Sequence, residues 1–329
     1  MPSWFQTSQL SLMIKRKIYF RADASATIGY GHFIRTLALA DMLKDDFDCT
    51  FFTTSPSVYQ IEEMGKVCGY IELTEETKFE DFINLLNGDE IVVLDNYFFT
   101  TEYQRTIKAK GCKLVCIDDL HNRHFVSDAV LNPALLSTSE YDVEPYTKLC
   151  LGLEYALLRK PFIKQDTNVE KVYGRWLIAF GGSDFDNMTE KYLSFLQGDS
   201  RIKEVTVIVG DAYKYYANLK NYTKATIYKN LTAEEMSIKM RQAEYAVLPS
   251  STISIEALAS GCKVANGYFV DNQIETSMMY KQEGYCIGLG NLREVSNTTF
   301  IDEIIQFTPG HCLDFSLIPL KYKRLFNSL

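Results

Sequence analysis

From Lys17 onward, short apolar runs alternate with stretches whose apolar residues recur every three to four positions. The first kind predicts strands and the second amphipathic helices. Six strands are expected in the first half: "KIYFRA", "DCTFFTT", "YIELT", "EIVVLDN", "KLVCIDD" and "AVLN". Helices are expected at 32–44, 57–67 and 101–110, the last followed by Gly111 at a C-terminal cap position. Several of these strands are apolar almost throughout, which suits a parallel sheet covered on both faces.

The pattern then restarts with "RWLIAF", "VTVIVG", "ATIYKN", "YAVLP" and "CKVANGY", and with helices at 187–197, 233–242, 253–260 and 272–282. The polar stretch "KPFIKQDTNVEKVYG", with Pro161, predicts the boundary. Two consecutive βα sets predict an α/β protein of two doubly wound, Rossmann-like domains facing a cleft, over residues 13–160 and 161–329. The tail from Phe300 adds one or two helices to the second. Residues 1–12, ahead of Met13, are expected to be a disordered extension.

Composition narrows the class. The chain has 329 residues, 47% hydrophobic and 23% charged, as in an ordinary globular protein. A net charge of −8 argues against nucleic acid or anionic lipid as a partner. Eight cysteines without a CxxC pair, most inside apolar runs, predict reduced core thiols and a cytoplasmic protein. No signal peptide is evident, and no run approaches the ~18 apolar residues of a membrane span. A monomer or weak homodimer is expected.

The loop "RADASATIGYGHFIRTLALA" (21–40) carries the sharpest chemistry. It fails the dinucleotide fingerprint G-x-G-x-x-G, because Ile34 stands at the third position. Gly29 and Gly31 permit a tight turn and close approach to a ligand. His32 follows in the first turn of a helix, where the helix dipole favours a neutral imidazole. It is either a turn-capping residue or a general base facing a cleft. Asp23 and Ser25 make the same loop polar.

Further on, Asp95, Asn96 and Tyr97 end a buried strand, where a ligand cleft is expected, and Asp118 and Asp119 end another. Cys112, Cys116, His121 and His124 mimic a zinc set, but both cysteines lie on or beside one extended strand with no turn between ligand pairs, so no metal is expected. In the second half, Gly181, Gly182 and Ser183 form a strand-to-helix loop suited to an anion. Asp184 and Asp186 suit helix capping better than metal. "SSTISIEALASG" places Ser251, Thr252 and Glu256 at and along a helix. Glu256 is either a solvated helix residue or an acceptor for two ribose hydroxyls. Asn272 and Gln273 open another helix, well placed for phosphate oxygens.

Residues 21–35 resemble the opening motif of the UDP-sugar hydrolases of pseudaminic acid biosynthesis, Arg-x-Asp-x-Ser-x-x-Ile-Gly-x-Gly-His-x-x-Arg, through Arg21, Asp23, Ser25, Ile28, Gly29, Gly31, His32 and Arg35. The resemblance implies a MurG-like GT-B fold and a hydrolase that needs no cofactor. It implies His32 as general base, with Tyr97 and Asp23 beside it. Arg21, Ser25, Gly31, Arg35 and Asp119 would hold the sugar. Gly182, Ser183, Leu231, Ser251, Thr252, Glu256, Asn272 and Gln273 would hold UDP, with the uracil edge near Leu231. Phe98 departs from the family pattern, where a small residue is expected. Water would invert the anomeric carbon without a metal. The alternative is a glycosyltransferase with the same donor; for a lipid-linked acceptor it would need an apolar or basic patch, which the start of the second helix does not suggest. A nucleotide-sugar-binding protein without catalysis is disfavoured by His32, Tyr97 and Asn272 occurring together.

Overall fold

The computed structural model describes residues 15–25, 29–134, 137–164, 168–182, 184–310 and 313–329. The extension expected at 1–12 lies outside them. The strands of the first half are β1 (Lys17–Arg21), β2 (Asp48–Thr54), β3 (Gly69–Leu73), β4 (Ile91–Leu94), β5 (Lys113–Ile117), β6 (His124–Phe125), β7 (Ala129–Asn132), β8 (Asp142–Val143) and β9 (Lys148–Leu151). Those of the second half are β10 (Val172–Ile178), β11 (Glu204–Val209), β12 (Ala225–Lys229), β13 (Ala243–Pro249), β14 (Lys263–Tyr268) and β15 (Ile287–Asn291). They build a seven-stranded sheet, β3-β2-β1-β4-β5-β7-β9, and a six-stranded sheet, β12-β11-β10-β13-β14-β15, while β6 and β8 pair apart. Pairing across both large sheets is parallel.

Burial explains why these runs read so clearly. Every residue of β4 and of β7 is buried, so neither strand has a polar face. Helix starts follow local chemistry. Ser57 with Gln60, and Thr232 with Glu235, form capping boxes ahead of the helices Val58–Val67 and Ala233–Gln242. Asp184 accepts the backbone N–H groups of Met188 and Thr189 at 2.8 Å, so it caps its helix. Sequence periodicity misses β9, β15, the two-residue strands β6 and β8, and the short helices Lys78–Asn84, Lys160–Ile163 and Tyr216–Leu219. The glycines of "IGLGN" blur β15, and a seven-residue helix offers too few turns for its period to emerge.

Strand order reverses between β1 and β4 in the first sheet, and between β10 and β13 in the second. Crevices beyond the carboxyl ends of strands at such switch points are where doubly wound sheets bind ligands. The first reversal gathers the loop after β1 and the Asp95–Asn96–Tyr97 turn. The second gathers Gly181–Gly182 and Ser250–Ser251. One apolar cluster runs from Ile18 through Leu157, Leu158 and Phe162 to Leu177 and Tyr280, so the two sheets share a core at their junction.

The sequence leaves open where the tail packs, and the last helix, Ile318–Asn327, decides it. It returns to the first sheet and packs against the helix Gly31–Leu43. Phe326 meets Phe47 edge-on at 6.2 Å, and the Tyr322 hydroxyl donates to the Tyr155 carbonyl. Its apolar stripe, Ile318, Tyr322 and Phe326, is wholly buried there. No helix among the described residues is long and apolar enough to cross a membrane. The seven described cysteines are unpaired, six of them buried.

This docking supports the helix that begins with Gly31 and His32. Phe326→Ala is expected to cost about 3–5 kcal/mol through a lost ring and the cavity left behind. Urea unfolding of the full chain measures it, and a cost below about 1 kcal/mol would mean that the last helix is not part of the first domain's core.

Candidate active site

Gly29 takes φ +84°, a conformation that favours glycine, and its N–H bonds the Ser25 carbonyl at 2.8 Å to close the loop. Gly31 has ordinary φ, and a Cβ there would meet nothing within 4 Å. The fold therefore does not require glycine at 31; open space in front of it does not oppose a close ligand. His32 sits in the first turn of Gly31–Leu43 and is 8% exposed.

The His32 ring is oriented by a carboxylate from the neighbouring strand. Its Nδ1 lies 2.7 Å from Asp95 Oδ1. Asp95 is fully buried at the end of β4, and each of its oxygens meets two donors. Oδ1 takes His32 Nδ1 and Arg35 Nη2 (2.6 Å); Oδ2 takes Arg35 Nε (2.7 Å) and the Thr36 hydroxyl (2.7 Å). Burial opposes the charge, but Arg35 and His32 outweigh it and hold Asp95 far below the usual carboxylate range. With the Nδ1 proton directed at Asp95, Nε2 carries the lone pair. No hydrogen bond engages Nε2 among the described residues. Arg35 Nη2 also lies 3.2 Å from Nδ1, but in this tautomer both are donors and the contact is not a hydrogen bond.

The network continues to the second domain. Arg35 Nη1 donates to Asp119 Oδ1 at 2.6 Å, and Tyr97 donates to Asp119 Oδ2 at 2.9 Å. Asn272 Nδ2 donates to the Tyr97 oxygen at 2.9 Å across the cleft. The Tyr97 ring stands edge-on to His32 at 4.7 Å. Burial, reinforced by Asp119, pushes the Tyr97 phenol well above its ordinary pKa, so it stays neutral. His32, Arg35, Tyr97, Asp119 and Asn272 are thus brought together from three strand ends and a helix start. A second bridge, His121 Nε2 to Glu275 Oε2 at 2.7 Å, crosses nearby.

Other expected residues lie differently. Arg21 and Asp23 are 0% and 2% exposed and form a bidentate pair behind the loop. Asp23 also accepts Thr54 N–H at 2.9 Å, and Asn96 clasps its backbone from both sides. Burial would raise Asp23, yet Arg21 and Thr54 keep it below the usual range. These contacts occupy both side chains with each other and with the loop's neighbours, so in this structure they support the loop. The zinc-like set diverges: Cys112 neighbours Glu90, and His124 pairs with Asp142 and Glu144.

In the second half, Gly182 is exposed, and a Cβ on Gly210 would lie 2.5 Å from its Cα, so the two glycines let adjacent loops touch. Ser183 lies outside the described residues. Ser251 and Thr252 open the helix Thr252–Ala259, with the Ser251 hydroxyl not engaged in capping. Ser250 Oγ is buried without a partner among the described residues. Leu231 is half-buried ahead of Ala233–Gln242. Gln273 spends its oxygen on Phe269 N–H at 3.2 Å. Glu256 is not solvated: it is 2% exposed and held by Arg159. Among the described residues, none of these side chains hydrogen-bonds the His32 network.

Thr36 and Arg159 are side chains that sequence reading passed over, and Asp95, though placed at a strand end beside a cleft, was not paired with His32. Asp95 stood beside the residue singled out, Tyr97, and its position at a strand end was the available signal. One expectation about the surface is overturned. Val58, Tyr59 and Ile61 at the start of the second helix are 72%, 43% and 37% exposed, an apolar cluster where none was expected.

No protein-family profile matches the chain. In sequence it is 28% identical over 282 residues to the UDP-2,4-diacetamido-2,4,6-trideoxy-beta-L-altropyranose hydrolase of Campylobacter jejuni, spanning 82% of this chain and 97% of that one. It is 25% identical over 306 residues to the spore coat polysaccharide biosynthesis protein SpsG of Bacillus subtilis, covering 90% of each. In structure it matches MurG of Acinetobacter baumannii with a TM-score of 0.64, over 95% of this chain and all of that one, at 10% identity. The likeness first legible in residues 21–35 therefore extends along most of the chain, which resembles the UDP-sugar hydrolase in sequence and has a MurG-like GT-B fold.

Proposed function

We propose that this protein is a UDP-sugar-processing enzyme, and specifically a hydrolase that cleaves a UDP-linked acetamido deoxysugar to free sugar and UDP. The observation that carries the reading is the His32–Asp95 pair, with Nε2 unengaged at a cleft that Asn272 closes from the other side. The sequence likeness to the Campylobacter jejuni hydrolase supports the substrate class. A place in the biosynthesis of a surface polysaccharide or nonulosonic acid, inside the cytoplasm, accords with that likeness.

In this mechanism His32 Nε2 takes a proton from water as the water oxygen bonds the anomeric carbon. The bond from that carbon to the diphosphate oxygen breaks on the opposite face, so the centre inverts. Asp95 keeps the imidazole in one tautomer and stabilises the imidazolium that forms. The neutral Tyr97 hydroxyl and the amide of Asn272 serve as polar contacts, not as bases. Charge developing on UDP is met by the N-termini of Thr252–Ala259 and Ile274–Gln282, with Asn272 and Gln273 beside the second. Gly182, Ser183, Ser251, Thr252 and Leu231 complete the nucleotide side. The scheme draws on no metal or cofactor.

A second reading, transfer of the sugar to an apolar acceptor, is favoured by the exposed Val58, Tyr59 and Ile61. Glu62 and Glu63 flank them, which disfavours an anionic membrane as the source of that acceptor. Incubation of the pure chain with UDP-2,4-diacetamido-2,4,6-trideoxy-β-L-altrose in water, followed by proton NMR, separates the two. Free sugar and UDP in equal amounts, with an inverted anomer first, support hydrolysis. No release of UDP from this or any UDP-sugar tested sinks the reading. His32→Ala is expected to lower kcat by about 10²- to 10⁴-fold. Excess EDTA is expected to leave the rate unchanged.

Asp95 adds a pH signature. Its carboxyl is depressed in the fold, so its contribution to stability is full above the ordinary aspartate range and is lost as pH falls through that range and below. Asp95→Asn is expected to cost about 3–5 kcal/mol at neutral pH, because half-buried Arg35 loses one of its two carboxylate partners and buried His32 loses its own. Urea unfolding between pH 3 and 7 should show the acid loss shrinking in the variant.

A further inference from the structure

We propose that Arg159, in the segment joining the two sheets, is a positioning residue for the ribose diol of the bound nucleotide, acting through Glu256. The proposal rests on the uridine nucleotide reading above. Arg159 Nε and Nη2 donate to Glu256 Oε1 and Oε2 at 2.7 and 2.8 Å, a two-pronged pairing that sets the carboxylate plane. Arg159 is itself held, with its guanidinium 5.1 Å from the centre of the Phe162 ring, and Phe162 is 2% exposed.

A carboxylate offers about four lone-pair sites on its two oxygens. The fork takes one on each. No other donor reaches the Glu256 side chain among the described residues. The side chain is 3% exposed, so water alone is a poor substitute. What remains is one acceptor site per oxygen, spaced as two adjacent hydroxyl donors require. Glu256 stands one helical turn beyond Thr252, on the helix that starts at the second sheet's switch point. Without the fork, Glu256 would be an unpaired buried charge free to turn about its own bonds. Arg159 also borders a groove of about 620 Å³ together with Ile34 and Leu37, from the helix that carries His32. One guanidinium therefore touches the nucleotide side and faces the catalytic helix.

The test compares UDP with 2′-deoxy-UDP by calorimetry on the full chain. The unchanged protein is expected to prefer UDP by about tenfold, since an oriented acceptor rewards the hydroxyl. Arg159→Lys keeps the charge but loses the fork. It is expected to weaken UDP about tenfold, leave 2′-deoxy-UDP within about twofold, and raise KM for the UDP-sugar with little change in kcat. A parallel loss for both ligands, as general damage would give, overturns the proposal. Tighter UDP binding in the variant overturns it too, because Arg159 would then be competing for Glu256. If the variant does not fold, the unchanged chain still decides: a ratio near one between the two ligands overturns the proposal. A chain that binds neither ligand overturns the nucleotide reading itself, whereas UDP binding with discrimination intact in Arg159→Lys overturns only the role of Arg159.

Discussion

A single buried carboxylate organises the His32 network. Asp95 has no exposed surface, and four donors from one helix fill both of its oxygens. Burying such a charge is costly unless it is paired and fully hydrogen-bonded. The helix Gly31–Leu43 therefore has to sit at one rotation relative to β4, with His32, Arg35 and Thr36 turned together. Residues 32, 35 and 36 lie on one face of a helix, so the three donors come as a set. That rotation also leaves Nε2 as the end of the imidazole with no hydrogen bond among the described residues.

Arg35 extends the constraint outward. It neutralises Asp95 on one side and Asp119 on the other, and Asp119 in turn directs the Tyr97 hydroxyl. Tyr97 accepts from Asn272 of the second half. The polar site is thus continuous across the cleft, while an apolar cluster is continuous behind it. The returning helix Ile318–Asn327 closes the back of the same unit by covering Gly31–Leu43. Arg159 lies where these parts meet, tied to a glutamate of the second domain and set over the ring of a phenylalanine of the junction.

Much of this was legible in the chain. Buried parallel strands announced themselves as apolar runs, and the amphipathic helices by their period. The spacing of Gly29, Gly31 and His32 marked a loop where backbone freedom meets a titratable group. The position of Asp184 was readable as a cap, since its partners lie within five residues. These features succeed because their physics is local: a period, a cap or a positive φ needs only near neighbours.

Arg21 and Asp23 show where local reading ends. They lie in the same motif as His32, yet their side chains form a buried pair, with Thr54, 31 positions away, donating to the Asp23 carboxylate and Asn96, 73 positions away, holding its backbone. Glu256 looked like a solvated residue or an acceptor, and Arg159, 97 positions distant, takes it out of solvent in a two-pronged pair that leaves one acceptor site on each oxygen. Val58, Tyr59 and Ile61 looked unremarkable until the fold left them uncovered. The chain alone specified most of its elements, its two βα sets and the loop that carries its candidate base. Which carboxylate orients His32, which charges pair, and which helix covers which sheet were settled on folding. Those contacts join residues far apart in sequence, and their energies depend on a burial that exists only once both sheets and the returning helix are in place.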